Sequence, residues 1–89
     1  VAEAQLSDLE WADAIILGSP TRYGGATSQL RAFIDTTGGL WFQGKLANKI
    51  GSAFTSAATA HGGQENTILT LNTVFYHWGA HIVSPAYLD

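Results

Sequence analysis

Between Gly18 and Gly25 the chain reads Gly-Ser-Pro-Thr-Arg-Tyr-Gly-Gly. Arg22 supplies a fixed positive charge and Tyr23 a flat ring. Gly24 and Gly25 let the backbone come close to a ligand. Those parts suit a flat, anionic cofactor better than a plain connection. The other titratable candidates are His61, His77 and His81. His77 and His81 have i, i+4 spacing, but Gly79 separates them and no carboxylate completes a set, so no metal site is expected. Cysteine is absent, which excludes disulfides, thiolate metal sites and cysteine nucleophiles. Ser, His and Asp are all present without a nucleophile-elbow pattern, and a hydrolase is unsupported.

The elements that must hold these residues follow from periodicity. Ser7 to Asp13 reads as a helix end or turn leading into a strand. Ala14-Ile15-Ile16-Leu17-Gly18 is an apolar run without alternation, as expected of a strand covered on both faces. Thr27 or Ser28 caps the next helix, whose Leu30, Phe33 and Ile34 form one buried stripe. Gly38-Gly39 is expected to end that helix, Leu40-Trp41-Phe42 to form an aromatic turn, and residues 44–49 to form a polar connector. A second strand runs from Ile50 to Ser56, built of small residues that let helices pack close. A loop of small residues with two glycines follows, from Ala57 to Gln64. A helix over Glu65 to Trp78 stops at Gly79, and His81 to Pro85 is a third strand. The order βαβαβ implies a parallel sheet. A strand that runs into a Pro/Gly-rich loop and then a helix places that loop at the carboxyl edge, where open α/β sheets bind ligands.

Composition narrows the function classes. The chain has 89 residues, 46% hydrophobic and 12% charged, the latter about half the usual ~25%. So few charges suggest surface covered by further sequence or by partner subunits. Four Lys/Arg at net charge −3 argue against nucleic-acid binding through phosphates. No apolar run approaches the ~18 residues of a membrane span, and no signal-peptide pattern is present. The absence of cysteine is compatible with the cytoplasm, the expected location.

Four motifs occur together in a fixed order. They are Pro20-Thr21-Arg22-Tyr23-Gly24, Phe33 through Trp41, Thr55-Ser56 through His61-Gly62-Gly63-Gln64-Glu65, and His77 before Gly79. The set resembles the flavodoxin-like NAD(P)H:quinone oxidoreductases of the tryptophan-repressor-binding-protein (WrbA-like) type, over nearly the whole chain. The resemblance implies an α/β, doubly wound parallel sheet in three αβα layers. Residues 1–89 are then expected to be the central βαβαβ part of one FMN-binding domain, without its N-terminal phosphate loop and C-terminal segment.

The resemblance also implies FMN as cofactor, NAD(P)H as co-substrate and a quinone as acceptor, in a homo-oligomer that is a dimer or tetramer. Pro20, Thr21, Arg22, Tyr23 and Gly24 would lie against the isoalloxazine. Ser56, Ala57, Ala58, Thr59, Ala60 and His61 would hold its other edge and the ribityl chain. Trp41 would border the substrate cavity. His77 would reach the flavin cavity across a subunit boundary and hydrogen-bond a quinone oxygen or relay a proton. Relatives often carry Thr-Gly at Ala57-Ala58, so a left-handed backbone there would be strained, and a second His at Trp78. His81 has no assigned role. On residue types alone the first loop also reads as a turn with a solvated Arg22. On the same footing Trp41 reads as core, His77 as a structural histidine, and Gln64 and Glu65 as capping residues. The alternative function is a flavodoxin-like electron carrier or regulatory protein-binding module without turnover.

Overall fold

The computed structural model describes residues 2–84. The element order is α1 (Leu6–Trp11), β1 (Ala14–Pro20), α2 (Ser28–Asp35), α3 (Gly38–Phe42), β2 (Ile50–Ser56), α4 (Gln64–Trp78) and β3 (His81–Ile82). The three strands form one parallel sheet in the order β1-β2-β3. β1 and β2 pair along their full lengths, from Ala14 opposite Ile50 to Pro20 opposite Ser56. Their carboxyl ends therefore lie level, and the loops that follow start side by side.

One face of the sheet carries the core. Ile15 and Leu17 on β1 pack with Leu71, Phe75 and Trp78 on α4 and with Leu46 from the connector. Phe75 and Trp78 meet edge to face, with ring centroids 5.6 Å apart and planes at 80°. Gly51 on β2 makes this possible. A Cβ there would come within 2.5 Å of the buried Phe75 ring. The small residues of β2 thus let α4 sit close to the sheet, as expected from the sequence. The apolar run of β1 is covered on one face only, among the described residues. Its burial alternates, and Ile16 is exposed together with Ile50 and Phe54 of β2.

The helix boundaries show local chemistry overriding a glycine signal. Thr27 does cap α2, accepting the Leu30 N–H at 3.3 Å. α2 stops at Asp35, before the glycines. The hydroxyls of Thr36 and Thr37 donate back to the carbonyls of Phe33 and Ile34 and compete with helix propagation there. Gly38-Gly39 instead begins α3, so Leu40, Trp41 and Phe42 are helical rather than a turn. α4 starts one residue earlier than expected and ends at the left-handed Gly79, φ 78°. β3 is shorter than expected. It pairs at His81 and Ile82, and Val83 N–H adds a bond to the Gly51 carbonyl at 2.8 Å. Pro85 lies outside the described residues.

Candidate cofactor site

Both candidate loops leave the carboxyl edge together. Thr21 N–H donates to the Ser56 carbonyl at 2.8 Å and extends the β1–β2 ladder by one bond. The chain then reverses. Arg22 N–H donates to the Gly25 carbonyl at 2.8 Å, and Gly25 N–H returns to the Arg22 carbonyl at 3.0 Å. Tyr23 and Gly24 between them have φ of 50° and 76°. Positive φ at both central residues defines a type I′ hairpin turn. Glycine takes this geometry freely, whereas Tyr23 pays roughly 1–2 kcal/mol for it. The ring of Tyr23 is fully exposed at the tip.

The second loop is stapled from inside by one side chain. The Gln64 amide oxygen accepts the Gly62 N–H at 2.8 Å, and its nitrogen donates to the Ala60 and Thr59 carbonyls at 3.0 and 3.3 Å. Gln64 therefore closes the loop rather than acting on a ligand. Among the described residues only Tyr23 and Asn48 are non-glycine residues with positive φ. Ala57 and Ala58 sit in ordinary backbone conformations, and the strain expected from missing glycine does not occur.

The two loops touch and are cross-linked. A Cβ on Gly63 would lie 2.9 Å from Gly24 Cα, so the backbones are in close contact. Asn66 Nδ2 donates to the Gly24 carbonyl at 2.6 Å. Thr67 Oγ1 reaches Thr21 Oγ1 at 3.1 Å, and Thr21 Oγ1 lies 2.8 Å from Thr55 Oγ1. Asn66 and Thr67 were not legible as site residues. In sequence they are ordinary first-turn positions of a helix, with no spacing that marks them.

The donor set fits FMN. Among the described residues, the N–H groups of Tyr23, Gly24 and Ala57 through His61 have no protein acceptor. They can serve the carbonyl and ring-nitrogen edge of an isoalloxazine or the oxygens of a ribityl chain. Arg22 is exposed and forms no ion pair with a described carboxylate, its one side-chain bond being to the Thr21 carbonyl at 3.4 Å. Its charge is available to an anionic ligand. Pro20 and Ser56 end the two strands and set where both loops begin.

Trp41 and His77 come together elsewhere. The Trp41 indole N–H donates to the His77 carbonyl at 2.7 Å and fixes α3 against the end of α4. With Arg31, Ile34, Asp35 and Val74 they line an open groove of about 530 Å³. Gln64, beside the loops, and His77 are roughly 20 Å apart along α4, at 1.5 Å per residue. Within one chain the groove and the loops are thus separate. Trp78 is buried against Phe75, so it is core and does not replace a second site imidazole. His61 and His81 are exposed, and no described cluster of His, Asp and Glu could hold a metal ion.

A parallel sheet with level loops at its carboxyl edge, flanked by helices, is the flavodoxin-like architecture, as the sequence motifs led us to expect. Residues 2–88 match the NADPH-dependent FMN reductase family, and the chain belongs to that family. It is 62% identical over its whole length to an NAD(P)H dehydrogenase (quinone) of Deinococcus radiodurans, covering 44% of that protein. Over 94% of its length it is 54% identical to an NAD(P)H dehydrogenase (quinone) of Azorhizobium caulinodans, covering 42% of it. Among solved structures it is similar to a flavodoxin, WrbA-like protein from Agrobacterium tumefaciens. That similarity has a TM-score of 0.83 and 36% identity, over 88% of this chain and 50% of the other. A flavodoxin from the domain Archaea matches with TM-score 0.74 and 26% identity, over 93% of this chain and 53% of that one. The chain spans less than half the length of the curated relatives it matches.

Proposed function

We propose that the protein carrying these residues is an FMN-dependent NAD(P)H:quinone oxidoreductase. One observation carries the reading. Two loops at adjacent strand ends are locked together and present unpaired backbone N–H groups beside an arginine that forms no described ion pair. FMN, when bound, supplies the two-electron hydride chemistry that links a nicotinamide to a quinone. The chain supplies position and charge. Pro20 through Gly24 form one wall, with the Tyr23 ring as a stacking face and Arg22 as a counter-charge. Ser56 through His61 form the other wall through backbone N–H groups and the hydroxyls of Ser56 and Thr59.

Trp41 and His77 serve the substrate side of the same reading. Their groove lies too far from the loops of its own chain, so they act on the site of a neighbouring copy. The functional unit is then a homo-oligomer, a dimer or tetramer. There the Trp41 ring stacks on a flat acceptor, and the His77 imidazole bonds a quinone oxygen or holds a proton. No helix of the described residues is long and apolar enough to cross a membrane. The reading places the enzyme in the cytoplasm with a diffusible acceptor.

The test is an FMN titration of the intact protein followed by flavin fluorescence, together with steady-state NADH oxidation by benzoquinone. We expect quenching on binding and quinone-dependent turnover. Arg22→Ala should weaken FMN or lower turnover by about tenfold, the loss of one charge-assisted contact. No quenching in the unmodified protein would reject the cofactor. Quenching without benzoquinone-dependent NADH oxidation would leave an electron carrier or binding module instead.

A further inference from the structure

Thr67 is fully buried, at 0% exposure, in the first turn of α4. Its hydroxyl is one end of a directed chain. The Thr55 hydroxyl donates to the Ser19 carbonyl at 2.7 Å, so its single proton is used there. In the 2.8 Å contact between Thr21 and Thr55 the proton must then come from Thr21. The Thr21 oxygen is left to accept, and Thr67, 3.1 Å away, is its donor. The other oxygen near the Thr67 hydroxyl is the Gly63 carbonyl at 3.3 Å. One residue earlier, Asn66 holds the far end of the same hairpin through the Gly24 carbonyl. The first turn of α4 therefore grips the Thr21–Gly25 hairpin at both ends, with Thr67 inside the protein and Asn66 outside.

We propose that Thr67 is a positioning residue that presets the Thr21–Gly25 hairpin against the second loop for cofactor binding, with Asn66 as its outer partner. The ligand role of the hairpin rests on the FMN reading above; the holding of the hairpin does not. A two-residue turn with a strained tyrosine at its tip is not rigid by itself. Anchoring both ends to a helix removes motion before the ligand arrives, so binding loses less to ordering. Thr67→Val keeps shape and volume near constant but withdraws the donor and leaves the part-buried Thr21 oxygen without it. Thr67→Ser keeps the donor.

The test is amide hydrogen exchange on the FMN-free intact protein, followed by FMN titration of the same variants. Thr21, Arg22 and Gly25 are the probes, since each donates a backbone bond in or beside the hairpin. Thr67→Val should speed their exchange roughly 5–10-fold, leave the middle of β1 unchanged and weaken FMN by a similar factor. Thr67→Ser should restore both. If Thr67→Val does not fold, Asn66→Ala at its exposed site decides, with faster exchange at Arg22 and Gly25 expected. Unchanged exchange at the probes in a folded Thr67→Val protein overturns the proposal. So does unchanged exchange in Asn66→Ala where that variant decides. Faster exchange with unchanged FMN affinity also overturns it, because the hairpin would then not be what presets the site. If the unmodified protein binds no FMN, the proposed function fails, while the exchange data still decide whether Thr67 holds the hairpin.

Discussion

Replacing Gly63 with alanine should separate the two loops, and the structure sets the size of the effect. Two costs add. Gly63 has φ 92°, a region in which an L-residue costs roughly 1–2 kcal/mol. Its new Cβ would also stand 2.9 Å from Gly24 Cα. Carbon atoms settle at about 3.5–4.0 Å, so the hairpin backbone must retreat by more than half an ångström. No side chain can yield in its place, because the neighbour is main chain. Forced overpacking of this kind costs about 1–3 kcal/mol, giving roughly 2–5 kcal/mol in total. Gly44 is the control. It is also left-handed, at φ 70°, but a Cβ there meets nothing within 4 Å. Gly44→Ala should therefore cost only the conformational part, about 1–2 kcal/mol. Urea unfolding of the two variants measures the difference. Hydrogen exchange should show the extra loss at Thr21, Arg22 and Gly25. Equal destabilisation by the two substitutions, with the hairpin amides unaffected in Gly63→Ala, would refute the claim that backbone contact between the loops builds the site.

Gly51→Ala should destabilise by about 1–3 kcal/mol, since the Phe75 ring 2.5 Å from the new Cβ is fully buried and cannot move aside. Gly18→Ala meets the ring of Phe54, which no described residue covers, so urea unfolding of this chain should show a far smaller loss. Comparable losses would contradict this view of where the sheet is tightly covered. Trp41→Phe removes the indole donor to the His77 carbonyl and should cost about 0.5–1.5 kcal/mol. Unchanged stability in that variant would mean the bond does not hold α3 to the end of α4.

The strands and the long helix were legible because their signals are local. The run from Ala14, the small-residue strand from Ile50 to Ser56, and the helix ending at Gly79 carry periodicity and stop residues in neighbouring positions. Thr27 as a cap belongs to the same class. The Gly38-Gly39 signal misled because Thr36 and Thr37 bond back to helix carbonyls three residues earlier, and glycine then opens α3 instead of closing α2. The lack of alternation in β1 is what a doubly wound sheet covered on both faces requires. Ile16 is apolar, but nothing among the described residues covers its face.

The candidate site divides along the same line. Arg22 and Tyr23 stand out by residue type after a strand end, whereas the Ser56–His61 loop is named as a candidate only through the motif resemblance. The I′ turn at Tyr23, the ordinary backbone at Ala57 and Ala58, and the Gln64 staple are set by the tertiary structure, since φ and hydrogen-bond partners depend on where the chain returns. Asn66 and Thr67 were silent in the sequence. Their roles exist because parallel pairing of β1 and β2 brings residues 21 and 55 together and the packing of α4 on the sheet adds residue 67, although the three are far apart in the chain. The separation of Trp41 and His77 from the loops has the same origin. Helix α4 runs the length of the sheet, so its first turn serves the carboxyl edge and its last turn serves the opposite end. Residue types and short-range order therefore specify the elements and the chemistry they carry. Which of those groups meet is settled by strand register and helix length, which act over distances no local pattern encodes.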